Sequence, residues 1–234
     1  MPDSDRTYRK RARRLVEMLR DKGIDNDLVL RAMSIVPRHI FVDHALRRLA
    51  YQDEALPIGL GQTISQPYTV AFQTASLDPQ PGDCVLEIGT GSGYQAAILA
   101  EMGVRVYSIE RHEQLLQRAR EHLRTLGYRV ITKIGDGSEG WPAFAPFDGI
   151  LATAGAARIP APLINQLRAP AEDIRGGRLI IPVGQSSDQT MIRISRTGED
   201  TVVEERLGRF SFVPFVGADT GHAPDPDIIG SNVQ

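Results

Sequence analysis

Apolar residues follow two rhythms along this chain, and the change between them divides it. Residues 6–22 carry Leu15, Val16, Met18 and Leu19 among charged neighbours, a spacing that gives a helix with one packing face. A second helix is expected over 25–34, ending before Val36-Pro37, because the residue preceding proline is biased away from the helical region. Residues 51–67 have little periodicity and contain Pro57, Gly59 and Gly61, which reads as an extended loop. A loop of that length in a compact domain usually has a function. From Tyr68 the pattern is regular. A helix to Leu77 and a turn at 79–82 are followed by short apolar runs alternating with longer amphipathic segments. Strands are predicted at 84–88, 105–109, 130–134, 147–152, 178–182 and 191–195, with helices at 93–102, 114–126 and 160–166. A final strand is expected within 202–216. Alternation of strand and helix predicts an α/β fold with a doubly wound, mostly parallel sheet covered on both faces, preceded by N-terminal helices. Residues 218–234 are rich in Gly, Pro and Asp and read as a disordered tail.

Composition narrows the class. The chain has 234 residues with 24% charged and 41% hydrophobic positions, enough for one sizeable α/β domain. That domain is expected over 1–217: a helical part at 1–50, the loop at 51–67 and an α/β core at 68–217. The net charge of -2 offers no global attraction to nucleic acid. Residues 1–22 carry eight bases against four acids, but on a helix with its own packing face such a run reads as a solvated surface. The first residues lack the apolar core of a signal peptide, and no apolar stretch approaches the ~20 residues of a membrane span. A cytoplasmic monomer is the expectation. Cys84, the single cysteine, excludes an internal disulfide and any multi-cysteine metal site, and the five histidines form no close ligand pair, so no metal is expected.

Candidate chemistry gathers at the ends of three predicted strands. The strand 84–88 runs into Gly89-Thr90-Gly91-Ser92-Gly93 and then a helix. Glycines at such a turn let a ligand approach the backbone, and the helix start leaves amide donors pointing at it. A dinucleotide fingerprint requires glycine at the sixth position of this loop, which here is Tyr94, so a dehydrogenase is disfavoured. Glu110 ends the next strand, where this fold places an acid against ribose hydroxyls. Asp136-Gly137 follows the third strand, again at a carboxyl end. A serine hydrolase needs G-x-S-x-G, and neither Ser92 nor Ser138 has glycines at the required positions.

With Glu87 in front, the E-x-G-x-G-x-G arrangement resembles the cofactor loop of class I S-adenosylmethionine methyltransferases. The stretch 50–67, Ala-Tyr-Gln-Asp-Glu-Ala-Leu-Pro-Ile-Gly-Leu-Gly-Gln-Thr-Ile-Ser-Gln-Pro, resembles the signature of the protein-L-isoaspartate (D-aspartate) O-methyltransferases. Residues 36–42, 135–142, 176–184 and 212–215 agree with the same family, and the likeness covers roughly 28–217. The chain departs from the family at 168–175, which is longer and more charged, and in the tail after Ala218. The resemblance implies a seven-stranded Rossmann-like sheet with an altered order of its last two strands. It also implies S-adenosyl-L-methionine as cofactor and, as substrates, age-damaged proteins and peptides containing L-isoaspartyl residues.

The resemblance assigns the active-site serine to Ser65. Thr63, Ile64 and Gln66 are expected at the substrate, with Gln62 beside them. Glu87, Gly89, Thr90, Gly91, Ser92, Gly93, Glu110, Asp136 and Gly137 are expected at the cofactor, Asp136 near the adenine amino group. The chemistry suits such a site: a carboxylate with a pKa of about 3.9 is already a nucleophile at neutral pH and needs alignment more than a base. Two other readings stay open on the residues alone. One is a methyltransferase for a small molecule or RNA; the other is a non-catalytic module that binds damaged proteins.

Overall fold

The computed structural model describes residues 5–185 and 188–215. Its centre is a seven-stranded sheet in the order β5-β4-β3-β6-β7-β8-β9, with β3 Cys84–Ile88, β4 Arg105–Glu110, β5 Val130–Ile134, β6 Gly149–Ala152, β7 Arg178–Gln185, β8 Asp188–Arg196 and β9 Val202–Phe210. The first five strands in that order are parallel, and β7-β8-β9 form an antiparallel meander at the edge. Helices α3 Pro67–Leu77, α4 Tyr94–Glu101, α5 Glu113–Thr125 and the short α6 Ala161–Asn165 cover the sheet.

Strand parity assigns side chains to two cores. Val85, Val106, Leu151, Ile180 and Met191 join one apolar cluster with α2, α3 and α4, while their neighbours Leu86, Ile150, Leu179, Ile181 and Ile192 join the other with Phe147 and Leu163. Successive side chains on a strand point to opposite faces, so a continuous apolar run is what a sheet buried on both faces requires. β3 and β6 are buried at every position, whereas the edge strand β5 is half exposed throughout. Each fully buried aliphatic side chain contributes about 1.5–3 kcal/mol.

The N-terminal helices, α1 Asp5–Asp21 and α2 Asp27–Ile35, pack on the first of these cores through Leu15, Leu19, Val29, Leu30 and Met33. Asn26 caps α2 by accepting from the Val29 amide at 3.1 Å, and the helix stops before Pro37 as the sequence predicts. Among the described residues no helix is long and apolar enough to cross a membrane.

Several boundaries differ from expectation. Residues 51–67 are not wholly irregular: β1 Leu56–Gly59 and β2 Gln62–Ile64 pair as an antiparallel hairpin. Leu56 and Ile58 point inward while Pro57 and Gly59 point out, a period-two pattern masked by the proline and glycines. Leu60 and Gly61, at the turn, both have positive φ, which is the backbone a tight hairpin needs. Strand β6 begins at Gly149, because Phe147 bridges only Leu167. β7 and β8 run longer than predicted, since a hairpin between them pairs residues as far as Gln185 and Asp188. The expected tail at 218–234 lies outside the described residues.

Candidate active site

The carboxyl ends of β3, β4 and β5 open into one cavity of about 590 Å³, within the size range of small-molecule sites. Its floor is the turn after β3. Gly89 has φ +93, and a Cβ there would overlap the Thr153 hydroxyl, which itself donates to the Gly89 carbonyl at 2.7 Å. Only glycine leaves this stretch of backbone open to a ligand. Thr90 is buried and its hydroxyl shares a hydrogen bond of 2.6 Å with Ser108. Gly91 has φ +53 and donates its amide to Glu110 Oε2 at 2.8 Å.

Glu110 is more constrained than a surface acid. Besides the Gly91 amide, it accepts the backbone amides of Arg111 and His112 on Oε1, both at 2.9 Å. A carboxylate offers about four acceptor positions, so roughly one is left for a ligand hydroxyl. The third strand end contributes Gly135 and Gly137, and a Cβ on Gly137 would overlap Ile88. Phe215 backs the same corner.

The other wall comes from the hairpin and the residues after it. Thr63, Ile64 and Ser65 line the cavity, together with Gln62. Ser65 is half buried, and Ile64 is anchored in the apolar core. Of the residues expected from the sequence, the structure therefore brings Thr63, Ile64, Ser65, Gly89, Thr90, Gly91, Ser92, Glu110 and Gly137 to one cavity.

Four others do not line the cavity, each for a physical reason. Glu87 sits beneath the floor, fully buried, accepting the Ser108 hydroxyl that also meets Thr90. Burial pushes its pKa up to about 8 against the opposing pull of that hydroxyl, and Glu110 adds a like charge. Gly93 starts α4 with φ +88 and leaves room for Ala119 of α5, 3.2 Å from where a Cβ would stand. Asp136 turns a carboxylate oxygen to its own chain, accepting the Ser138 amide at 2.9 Å and hydroxyl at 2.8 Å. Gln66 precedes α3 and lines a neighbouring groove with Tyr68 and Phe210.

Sequence reasoning missed several lining residues. Gln73, Tyr94, Gln95 and Thr153 face the cavity from helices α3 and α4 and from the end of β6. A helix pattern marks such residues as core, because nothing local distinguishes a helix face against a cavity from one against a sheet. Val213, Pro214 and Phe215 reach the site through a bridge from Pro214 to Gly155, a contact between segments far apart in the chain. Among the described residues no group of three acids, histidines or cysteines is placed to hold a metal.

Comparison with known proteins agrees with this architecture. The chain is 59% identical to a protein-L-isoaspartate O-methyltransferase of Salinibacter ruber, over 94% of this chain and 97% of that one. It is 52% identical to the corresponding protein of Cytophaga hutchinsonii, over 90% and 93% of the two chains. Among solved structures, a protein-L-isoaspartate O-methyltransferase superposes with a TM-score of 0.78 at 27% identity, covering 90% of this chain and 67% of that one. A Plasmodium falciparum protein in complex with S-adenosyl-L-homocysteine shares the fold, with a TM-score of 0.72 at 24% identity over 87% and 97%. The family profile described as protein-L-isoaspartate(D-aspartate) O-methyltransferase matches residues 10–220, and the chain belongs to that family.

Proposed function

We propose a division of labour within the cavity, with Ser65 holding the substrate carboxylate and the β3, β4 and β5 ends holding the cofactor. The reaction is that of the family: transfer of a methyl group from S-adenosyl-L-methionine to the free carboxylate of an L-isoaspartyl residue, which starts repair of a damaged protein. The observation that carries the division of labour is the shared cavity, in which Ser65 and the glycine turn with Glu110 form different parts of the wall.

The residues present fit the cofactor. Gly89 and Gly91 leave a cradle that side chains would fill, Glu110 keeps an acceptor for a ribose hydroxyl, and Gly137 opens the corner beside Phe215. When bound, the cofactor supplies an electrophilic methyl on a sulfonium. Everything else falls to the chain. The substrate carboxylate is ionised at neutral pH, so no base is required to generate the nucleophile. Ser65 donates its hydroxyl to one carboxylate oxygen and thereby fixes the direction of the other. Thr63 supplies a second hydroxyl, while Ile64 and Val70 keep that wall apolar. A dry, aligned site favours a step in which opposite charges combine into neutral products.

We further propose that residues 1–217 act as a single domain, since α1 and α2 share a core with the sheet. The protein works on damaged proteins as a cytoplasmic monomer, without nucleic acid or membrane. The modest net charge of -2 supports the absence of a nucleic-acid partner.

The test is incubation of the purified protein with labelled S-adenosylmethionine and matched peptides that contain Asp or isoAsp. Base-labile label is expected in the isoAsp peptide alone; equal labelling of both, or of neither, refutes the reading. Ser65→Ala is expected to lower kcat on the order of 10²-fold while cofactor affinity stays near that of the wild type. Unchanged turnover removes Ser65 from the mechanism.

A further inference from the structure

Arg38 takes no part in the reading above, yet its side chain is fully buried, with 0% exposure. It opens a short 3-10 turn, Arg38–Phe41, directly after Pro37. Its Nε donates to the Ala50 carbonyl at 2.7 Å and its Nη2 donates to the Ser65 carbonyl at 2.7 Å. Those two carbonyls stand at opposite ends of the segment that forms the substrate side of the cavity. The guanidinium carbon lies 4.7 Å from the centre of the Tyr94 ring, and Tyr94 begins α4 immediately after the glycine turn and lines the cavity itself. One planar group thus grips both ends of the substrate segment while resting on the helix that follows the cofactor turn.

Burying a guanidinium is expensive, and carbonyl acceptors with an aromatic face offset the cost only when the geometry is fixed. Lysine does not reproduce that geometry, because its ammonium is a point charge with rotatable donors in place of a rigid planar fork and has no flat face to lie on the Tyr94 ring. A purely structural staple could sit anywhere along 51–67. This one ends on the backbone of Ser65, and fixing that carbonyl restricts the ψ of Ser65 and with it the direction of the Cα–Cβ bond that carries the hydroxyl.

We propose that Arg38 is a positioning residue for methyl transfer, setting the Ser65 hydroxyl in line with the substrate carboxylate by holding the Ala50 and Ser65 carbonyls together. This rests on the role given to Ser65, and the experiment separates the two. Wild type, Arg38→Lys, Ser65→Ala and the double variant are compared for kcat and KM on an isoaspartyl peptide, and for S-adenosylhomocysteine affinity by calorimetry. Arg38→Lys is expected to lower kcat by about tenfold or more, since small misplacements of a reacting group cost up to about 10²-fold. Its S-adenosylhomocysteine Kd is expected to stay within about threefold of the wild type, because the cradle residues are untouched. In the Ser65→Ala background the same substitution is expected to cost less than about threefold, as coupled residues are not additive.

Three results overturn the proposal. They are near-wild-type turnover in Arg38→Lys, loss of cofactor binding in step with turnover, and an equal loss in both backgrounds. The second result also covers a variant that fails to fold. Wild-type turnover in Ser65→Ala alone overturns the serine's role, and the proposal falls with it.

Discussion

Glu87→Gln tests the electrostatics beneath the glycine turn after β3. The Glu87 carboxyl is fully buried, and burial raises its pKa from the ordinary 4.5 to about 8. The native protein therefore holds a proton that the unfolded chain releases between those two values. Where the native state binds more protons than the unfolded one, stability falls as pH rises, by up to about 1.4 kcal/mol per pH unit. Over the whole interval the contribution amounts to about 5 kcal/mol, present below pH 4.5 and lost as pH climbs toward about 8. Glutamine has nearly the same shape, remains neutral, and still offers an oxygen to the Ser108 hydroxyl. The variant should thus nearly match the wild type near pH 5, gain on it as pH rises to about 8, and hold that gain above it. Urea unfolding followed by far-UV circular dichroism at about pH 5, 6.5 and 8.5 measures the difference directly. A stability difference between the two proteins that stays constant within about 1 kcal/mol across that range would refute the reasoning, because it would mean that Glu87 is already ionised in the native state.

The two edges of the cradle give further predictions. Gly89→Ala places a methyl group against the Thr153 hydroxyl at a φ of +93, so S-adenosylhomocysteine affinity by calorimetry should fall by about tenfold or more; unchanged affinity would mean the cofactor does not rest on this turn. Glu110→Gln leaves one acceptor oxygen where the carboxylate takes three backbone amides, which should cost about 1–3 kcal/mol of cofactor affinity. The same calorimetry checks it, and an affinity within twofold of the wild type would remove Glu110 from the cofactor site.

Much of the site was legible because its residues lie at strand ends, and strand ends are marked locally. The apolar run 84–88 stops at a glycine triplet, and Glu110 and Asp136 follow runs of the same kind. Membership of a motif does not by itself say which of its residues face the cavity. Glu87 and Gly93 belong to the same motif as Gly89 and Gly91, yet parity sends Glu87 below the floor and helix packing uses Gly93 to admit Ala119. Asp136 reads as a ligand group, while the turn that follows claims one of its oxygens. The hairpin at 56–64 was hidden for a different reason. Its strands are four and three residues long, too short for alternation to stand out beside a proline and two glycines.

The sequence by itself determined the class of the fold, because period-two burial, helical spacing and glycine turns are properties of neighbouring residues. It also marked where a ligand could bind, since a parallel sheet brings strand ends to one edge. The tertiary structure alone decided which residues meet across that edge. Arg38 reaches Ser65 over 27 positions, Pro214 reaches Gly155, and Gln73 donates to Ala152 across 79. Such contacts depend on how helices and loops pack on the sheet, and packing is set by volume and hydrogen-bond demand summed over the whole chain.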